Sequence, residues 1–399
     1  MKKKTKLWFL LGILSVLSSC VEEYTLPTTT SYVEPEIVIQ GRILTGGKSV
    51  VYLTNTTPFN SNEEAPDILN AQVHIIGQNG FRSEAAEFVI EEDCYVIDTQ
   101  ALENNTHYAV EVTVDGETYQ SEFQPILIAP EISEVTWQEN ESSVSIYVST
   151  KAGKDDPRHF MWTFEEDWEF HADIDMRGND TIKPCYVEKH YPGLTETHNP
   201  YYYGWIHDVS KKIFLQSTSN LSENLTGNVK IHEIGIEDIR ISYIYSILVK
   251  QWSLTDEAYS YYNTLKRYTE ESGGLFTPVL SDYQGNIRCL SNPNKRVHGW
   301  VLASSVTTKR IFIYEENFEH LRSQYSNPLC IAKHRTAHKD EFIAITTPYP
   351  PLSPWVIMAV DANWQHDPNA IAYNWFCVDC RYTTGATKKR PDFWPNDHE

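Results

Sequence analysis

The chain has 399 residues, 54 of them Asp or Glu against 33 Lys or Arg, and a formal net charge of -21 at pH 7. That charge repels phosphates and anionic headgroups, so nucleic acid is not expected as a ligand. The length allows two or three domains with their own cores, and beyond the first nineteen residues no stretch is long and apolar enough to cross a membrane.

The chain opens with "MKKKTK", followed by an apolar run from Leu7 to Leu17 and then "SSCVEEY". As a helix this run would reach about 16 Å, half of a bilayer's hydrocarbon thickness, so it reads as a secretory signal over residues 1–19 and not as a span. "LSSC" resembles the bacterial lipobox, which makes Cys20 the expected lipidated N-terminus; an ordinary signal peptide is the alternative. Glu22 and Glu23 resemble the acidic signal with which Bacteroidota send lipoproteins to the cell exterior, and otherwise read as two solvated charges. Residues 20–33 have the Thr, Ser and Pro content of a flexible tether.

From 34 to 125 the pattern is that of short antiparallel strands, as in a small sandwich. "EIVIQGRI" and "KSVVYLT" are β-branched runs, and "AQVHIIGQNGF" ends in a turn between Gly77 and Gly80. In "YAVEVTVDGETYQSEF" the residues Tyr108, Val110, Val112 and Val114 alternate, and Asp115-Gly116 supplies a tight hairpin turn. Pro125 and Pro130 in "QPILIAPEISEV" suggest a hinge, since neither can join a central strand.

Residues 126–399 read as a larger β-rich domain. "SSVSIYVST" and "HFMWTFEEDWEF" alternate, with Phe160, Trp162 and Phe164 on one face, and "KIFLQST", "VKIHEIGI", "RISYIYSILVKQW", "GWVLASSV" and "RIFIY" are further strands. One helix is expected near 254–272, with Ser253 or Thr255 as cap, Asp256 and Glu257 in the first turn, and Gly273-Gly274 as the stop. Its stripe of Ala258, Tyr261, Tyr262, Leu265 and Tyr268 has the spacing of a face packed on a sheet. The fold class is therefore mainly β: a small N-terminal immunoglobulin-like sandwich and a larger β domain with one docked helix.

Six cysteines follow Cys20: Cys94, Cys185, Cys289, Cys330, Cys377 and Cys380. In an oxidising compartment an even number favours structural disulfides, with connectivity left open. "CVDC" at 377–380 also has the form of a redox motif or half a zinc site, but the βαβ context or second ligand pair these need is not visible.

The helix with "EAYSYYNTLK", then "GGLFTP", "GNIRC", "GWVLASSVTTKRIFI", "CVDCR" and "KKRPDFW", in that order, resembles a Bacteroidota lipoprotein family catalogued as domain of unknown function 4249, over essentially the mature chain to Trp394. The resemblance implies a transthyretin-like or carboxypeptidase-regulatory-like N-terminal sandwich and genes neighbouring TonB-dependent receptors. It carries over Cys20 as anchor and Cys377 and Cys380 as structural thiols, and implies no catalytic residues.

Motifs of chemistry are scarce. G-x-S-x-G, H-E-x-x-H, P-loop and dinucleotide patterns are missing, and "HEIGIED" at 232–238 lacks a second histidine at Ile236. "DIDMRGND" at 173–180 departs from an EF-hand at Arg177 and Pro184; a looser calcium site or a solvated acidic loop remains. Thr181 in "DTI" fits a short O-glycosylation pattern, and Tyr201, Tyr202, Tyr203 and Trp205, beside Pro200 and Gly204, read as an exposed contact patch on a loop.

The expected function is a noncatalytic, surface-exposed outer-membrane lipoprotein without cofactor or metal. Its expected partner is an outer-membrane β-barrel, either a TonB-dependent receptor or an assembly complex, with a glycan or peptide as a further ligand. The alternatives are a glycan-binding accessory lipoprotein using its aromatics, and a hydrolase with scattered carboxylates.

Overall fold

The computed structural model describes residues 35–57, 66–100, 102–175, 199–270, 285–321, 323–330, 332–334, 355–358 and 371–395. The fold is mainly β, with strands arranged as two sandwiches in tandem and one long helix among the described residues.

The first sandwich pairs two sheets. One holds β1 (Ile37–Ile43), β2 (Lys48–Asn55), β4 (Glu87–Val89) and β5 (Cys94–Asp98). The other holds β3 (Gln72–Gly77), β6 (His107–Val114), β7 (Glu117–Ser121) and the short β8 (Gln124–Pro125). The alternation read from the sequence is the mechanism: Tyr108, Val110, Val112 and Val114 all turn inward onto Ile39, Leu53 and Val73. The β6–β7 hairpin closes through Asp115 at φ 51° and Gly116 at φ 79°, the left-handed pair that a tight turn requires.

The boundary expected at 125 does not separate the sheets. β16 (Ile287–Cys289) pairs with β7, while β17 (Val297–His298) and β18 (Val301–Ala303) run parallel to β1. The first sandwich is therefore completed by a segment from the far side of the second. The reason lies in β1, whose outer edge would otherwise stand open: Val297, Val301 and Ala303 give it apolar partners and join the same core. Gly299 makes the crossing feasible. Its φ is 106°, and an added Cβ would sit 1.9 Å from the Ile39 carbonyl oxygen.

The second sandwich stacks β9 (Glu134–Glu139), β10 (Ser143–Lys151) and β14 (Leu225–Gly235) against a larger sheet. That sheet has the order β12 (Tyr203–Val209), β11 (His159–His171), β15 (Ile244–Leu254), β19 (Val306–Tyr314), with β13 (Phe214–Ser217) also on β11. Phe160, Trp162 and Phe164 share one face of β11 and are buried against Val144, Ile146, Ile231 and Ile234. Each such side chain stabilises the fold by about 1.5–3 kcal/mol.

The helix α1 (Asp256–Glu270) starts where expected, with Thr255 Oγ1 accepting from the Ala258 amide at 3.2 Å. Ser253, the other candidate cap, is a fully buried residue of β15. Ala258 and Tyr261 of the stripe pack on Met161, Trp252 and Leu254 from the second sandwich and on Trp300 and Leu302 from the returning segment. The helix thus fills the joint between the two sandwiches, with Arg42 of β1 lying over the Trp252 ring at 5.4 Å. Three short strands, β20 (Ala332–His334), β21 (Trp355–Met358) and β22 (Ile371–Asn374), form a small sheet leading into the helical turn α2 (Trp375–Val378).

Candidate functional site

Cys20, Glu22, Glu23, Thr181 and Cys185 lie outside the described residues, as does 176–180 of the acidic stretch that begins at Asp173. The aromatic patch lies within them, and the expectation for it fails. Tyr203 and Trp205 belong to strand β12, and Tyr201 and Trp205 are buried, at 1% and 7% exposure. β12 lies beside the central strand β11, and the C-terminal segment covers it: Trp205 and Thr387 exchange two backbone hydrogen bonds of 2.9 Å. Arg381 and Lys388 sit over the Tyr201 ring at 4.3 and 4.2 Å. Tyr202 and Tyr203 are half-buried, with Tyr202 stacked on His171. Tyr201 and Trp205 are packing residues, and Trp205 is unavailable to stack on a sugar, while Tyr202, in a turn, and Tyr203 keep part of their surface in solvent.

The cysteines divide unequally. Cys330 and Cys377 form a disulfide, whereas Cys94, Cys289 and Cys380 are free and buried. This corrects the expectation of bridges at all three, and the assignment of Cys380 as partner in a structural thiol pair. "CVDC" is not a reactive dithiol either. Burial, then the neighbouring Asp379, push the Cys380 thiol up to about 12, and its Sγ donates to the Tyr203 carbonyl at 3.0 Å.

Sequence reasoning took "EEDWE" only as part of an alternating strand and missed a row of buried acids on β11. Glu166, Asp167 and Glu169 are each 4% exposed or less. Glu166 lies on the core side, where Arg240 Nη1 donates to it at 2.9 Å, Tyr245 Oη at 2.7 Å, and His232 Nε2 stands 3.1 Å away. Burial acts to raise the pKa of this carboxyl, but His232, Arg240 and Tyr245 together outweigh it and hold the group below the usual range. On the outer face, Asp167 receives Arg310 at 2.9 Å and holds His207 Nδ1 at 2.7 Å, while Glu169 accepts from the Trp394 indole and Glu165 pairs with Lys250. Partners on β12, β14, β15 and β19 make this row a set of fastenings between strands. Only the pattern of pairing across strands, invisible locally, identifies it.

One open feature among the described residues is a cleft of about 330 Å³ at one end of the first sandwich, the end where Pro35 enters β1. Asn55 at the end of β2, Asp67 and Asn70 from the following connection, and Asp115 from the β6–β7 turn line it. Glu117 and Lys295 form an ion pair at its wall, and Tyr119 donates to Glu117 at 2.7 Å. Burial and that hydrogen bond push the Tyr119 phenol up to about 12, so it stays a donor. The turn was legible in the sequence, but Lys295 arrives from 178 residues away and carries no local signal.

Two solved structures resemble the chain only faintly. A segment of two fibronectin type III domains from chicken tenascin has 8% identity and a TM-score of 0.16, covering 55% of this chain and 91% of that one. A second, described as manganese lipoxygenase of Gaeumannomyces graminis with a partial structure of zonadhesin of Komagataella pastoris, has 7% identity and a TM-score of 0.13, covering 56% and 90%. No curated protein matches the chain. A family model does match, over residues 21–310, from just after Cys20 to the middle of β19 and short of the "CVDC" segment. The chain belongs to the family described as Domain of unknown function (DUF4249).

Proposed function

We infer that the protein is a noncatalytic module held to a membrane by acyl chains on Cys20, displayed on the outer face of an outer membrane and working beside a β-barrel such as a TonB-dependent receptor. The observation that carries this reading is the order along the chain: a short apolar leader ending in "LSSC", an acidic and Thr/Pro-rich tether, then two β-sandwiches. Two or more acyl chains supply a lasting anchor, because each buried methylene contributes about 0.8 kcal/mol. A coil of the sixteen residues from Cys20 to Pro35 would have an end-to-end distance of roughly 20 Å. That length keeps the first sandwich near the loops of a neighbouring barrel. The noncatalytic part of the reading is supported by the acids of β11, which serve as cross-strand fastenings.

Cys20→Ser should leave an uncleaved or soluble precursor, since serine offers no thiolate for acyl transfer. Replacing Glu22 and Glu23 with alanine should keep membrane fractionation and remove accessibility to external protease, because the acyl chains and not the carboxylates supply the affinity. Affinity purification of the wild-type protein from mild-detergent extracts should enrich one β-barrel reproducibly. Recovery of the lipoprotein alone would count against the partnership.

A further inference from the structure

We propose that the cleft at the tether end of the first sandwich binds a neutral, hydroxyl-rich ligand, a segment of an oligosaccharide. Its size lies at the lower end of the roughly 300–1,000 Å³ typical of small-molecule sites. Four polar side chains facing it, Asn55, Asp67, Asn70 and Asp115, make no hydrogen bond to another side chain or backbone group among the described residues. The other polar groups of the wall, Glu117, Lys295 and Tyr119, are already bound to one another. The structure therefore spends one set of polar groups on rigidity and leaves another set available.

The chemistry of the free set narrows the ligand. Three carboxylates against one ammonium repel phosphate, sulfate and carboxylate ligands. The ammonium of Lys295 already sits on Glu117, close over the Tyr119 ring at 5.8 Å, where an incoming cation would otherwise be held. A mainly apolar ligand would strip water from four polar groups and return no hydrogen bonds, which is costly. A sugar avoids all three objections. Each hydroxyl both donates and accepts, a carboxylate can accept from two adjacent hydroxyls, and a carboxamide can give and receive at once. Leu69, 64% exposed at the rim, offers an apolar surface to the C–H face of a ring. This proposal rests on the reading of the chain as a binding module, and it moves glycan recognition away from the buried Trp205 to a site that shares no residue with it.

The test uses the full lipidated chain in a detergent without a sugar headgroup, titrated calorimetrically with maltohexaose, xylohexaose, mannohexaose and chitohexaose. At least one should bind saturably, and Asp67→Ala combined with Asn70→Ala should weaken it tenfold or more. Both side chains are exposed and unpaired, so the thermal midpoint of the double variant should match wild type, which separates lost binding from lost folding. Failure of all four sugars to bind at millimolar concentration would overturn the proposal, as would binding that survives the double substitution. Saturable binding of a lysine-rich peptide that Asp67→Ala abolishes, with no sugar bound, would also overturn it by making the cleft a cation site. Enrichment of a barrel in the purification described above does not depend on these residues, so the two readings fail separately.

Discussion

Arg240→Met should destabilise the second sandwich by about 3 kcal/mol, read as a fall in the urea midpoint, because it leaves the Glu166 carboxylate in the core without its arginine partner. Glu166 is 3% exposed, so water cannot replace the lost partner. His232 and Tyr245 remain, which keeps the effect at the lower end of the range for a broken buried pair. The pH dependence has a definite sign. A carboxyl held below its ordinary value in the folded state contributes stability that is present above the unfolded pKa, near 4.3, and lost as pH falls through the folded one. Without Arg240 the folded value rises towards the unfolded one, so acid unfolding should begin at higher pH than in wild type. Adding Glu166→Gln to Arg240→Met should recover part of the midpoint. A double variant no more stable than the single would show that the charge was never the source of the cost.

Removing the Cys330–Cys377 bridge by Cys330→Ser with Cys377→Ser should cost up to roughly 4 kcal/mol on the chain-entropy account, given the 47-residue separation it closes. The loss should be concentrated at the C-terminal end. The Cys377 carbonyl accepts from the Ile174 amide at 2.8 Å, and the Asn327 side chain donates to the Phe376 carbonyl at 2.9 Å, so these contacts depend on where the bridge holds α2. Hydrogen exchange should accelerate at Ile174 and over 376–382 while β6 and β11 keep their protection. In the single variant Cys377→Ser, Cys380 should not take over as partner of Cys330, since its thiol stays protonated at neutral pH and is directed at the Tyr203 carbonyl. Peptide mapping that found Cys330 joined to Cys380 would refute this.

The elements were legible where the signal was periodic and local. The alternation of Tyr108 to Val114, the Asp115-Gly116 turn and the capped helix at Thr255 all follow from neighbours within a few residues, and all formed as read. The misreadings share a different cause. "YYYGW" resembles a loop because Pro200 precedes it and Gly204 lies within it, but its fate depends on β11 beside it and on Thr387 far downstream, neither of which its own composition reveals. "EEDWE" was read only as part of an alternating strand, and the pairing of its acids stayed out of sight because the arginines that neutralise them, Arg240 and Arg310, are more than seventy residues away. The cleft was out of reach for the same reason, being assembled from the ends of four segments. The cysteine count could raise the expectation of bridges but could not choose Cys330 for Cys377, because pairing is a property of distance in space.

The return of residues 287–303 to the first sandwich has a consequence in time. Ile37 must find Val297, and Gly41 must find Val301, each across 260 positions of chain. Contacts of such range are slow to form because the intervening loop must close before they stabilise anything. Until the segment returns, β1 has an open edge and β7 lacks its neighbour, so the N-terminal sandwich is among the last parts to be finished. An intermediate in which 287–303 has not yet returned therefore presents an unpaired strand edge to neighbouring chains, and edge-to-edge association competes with completion of the first sandwich.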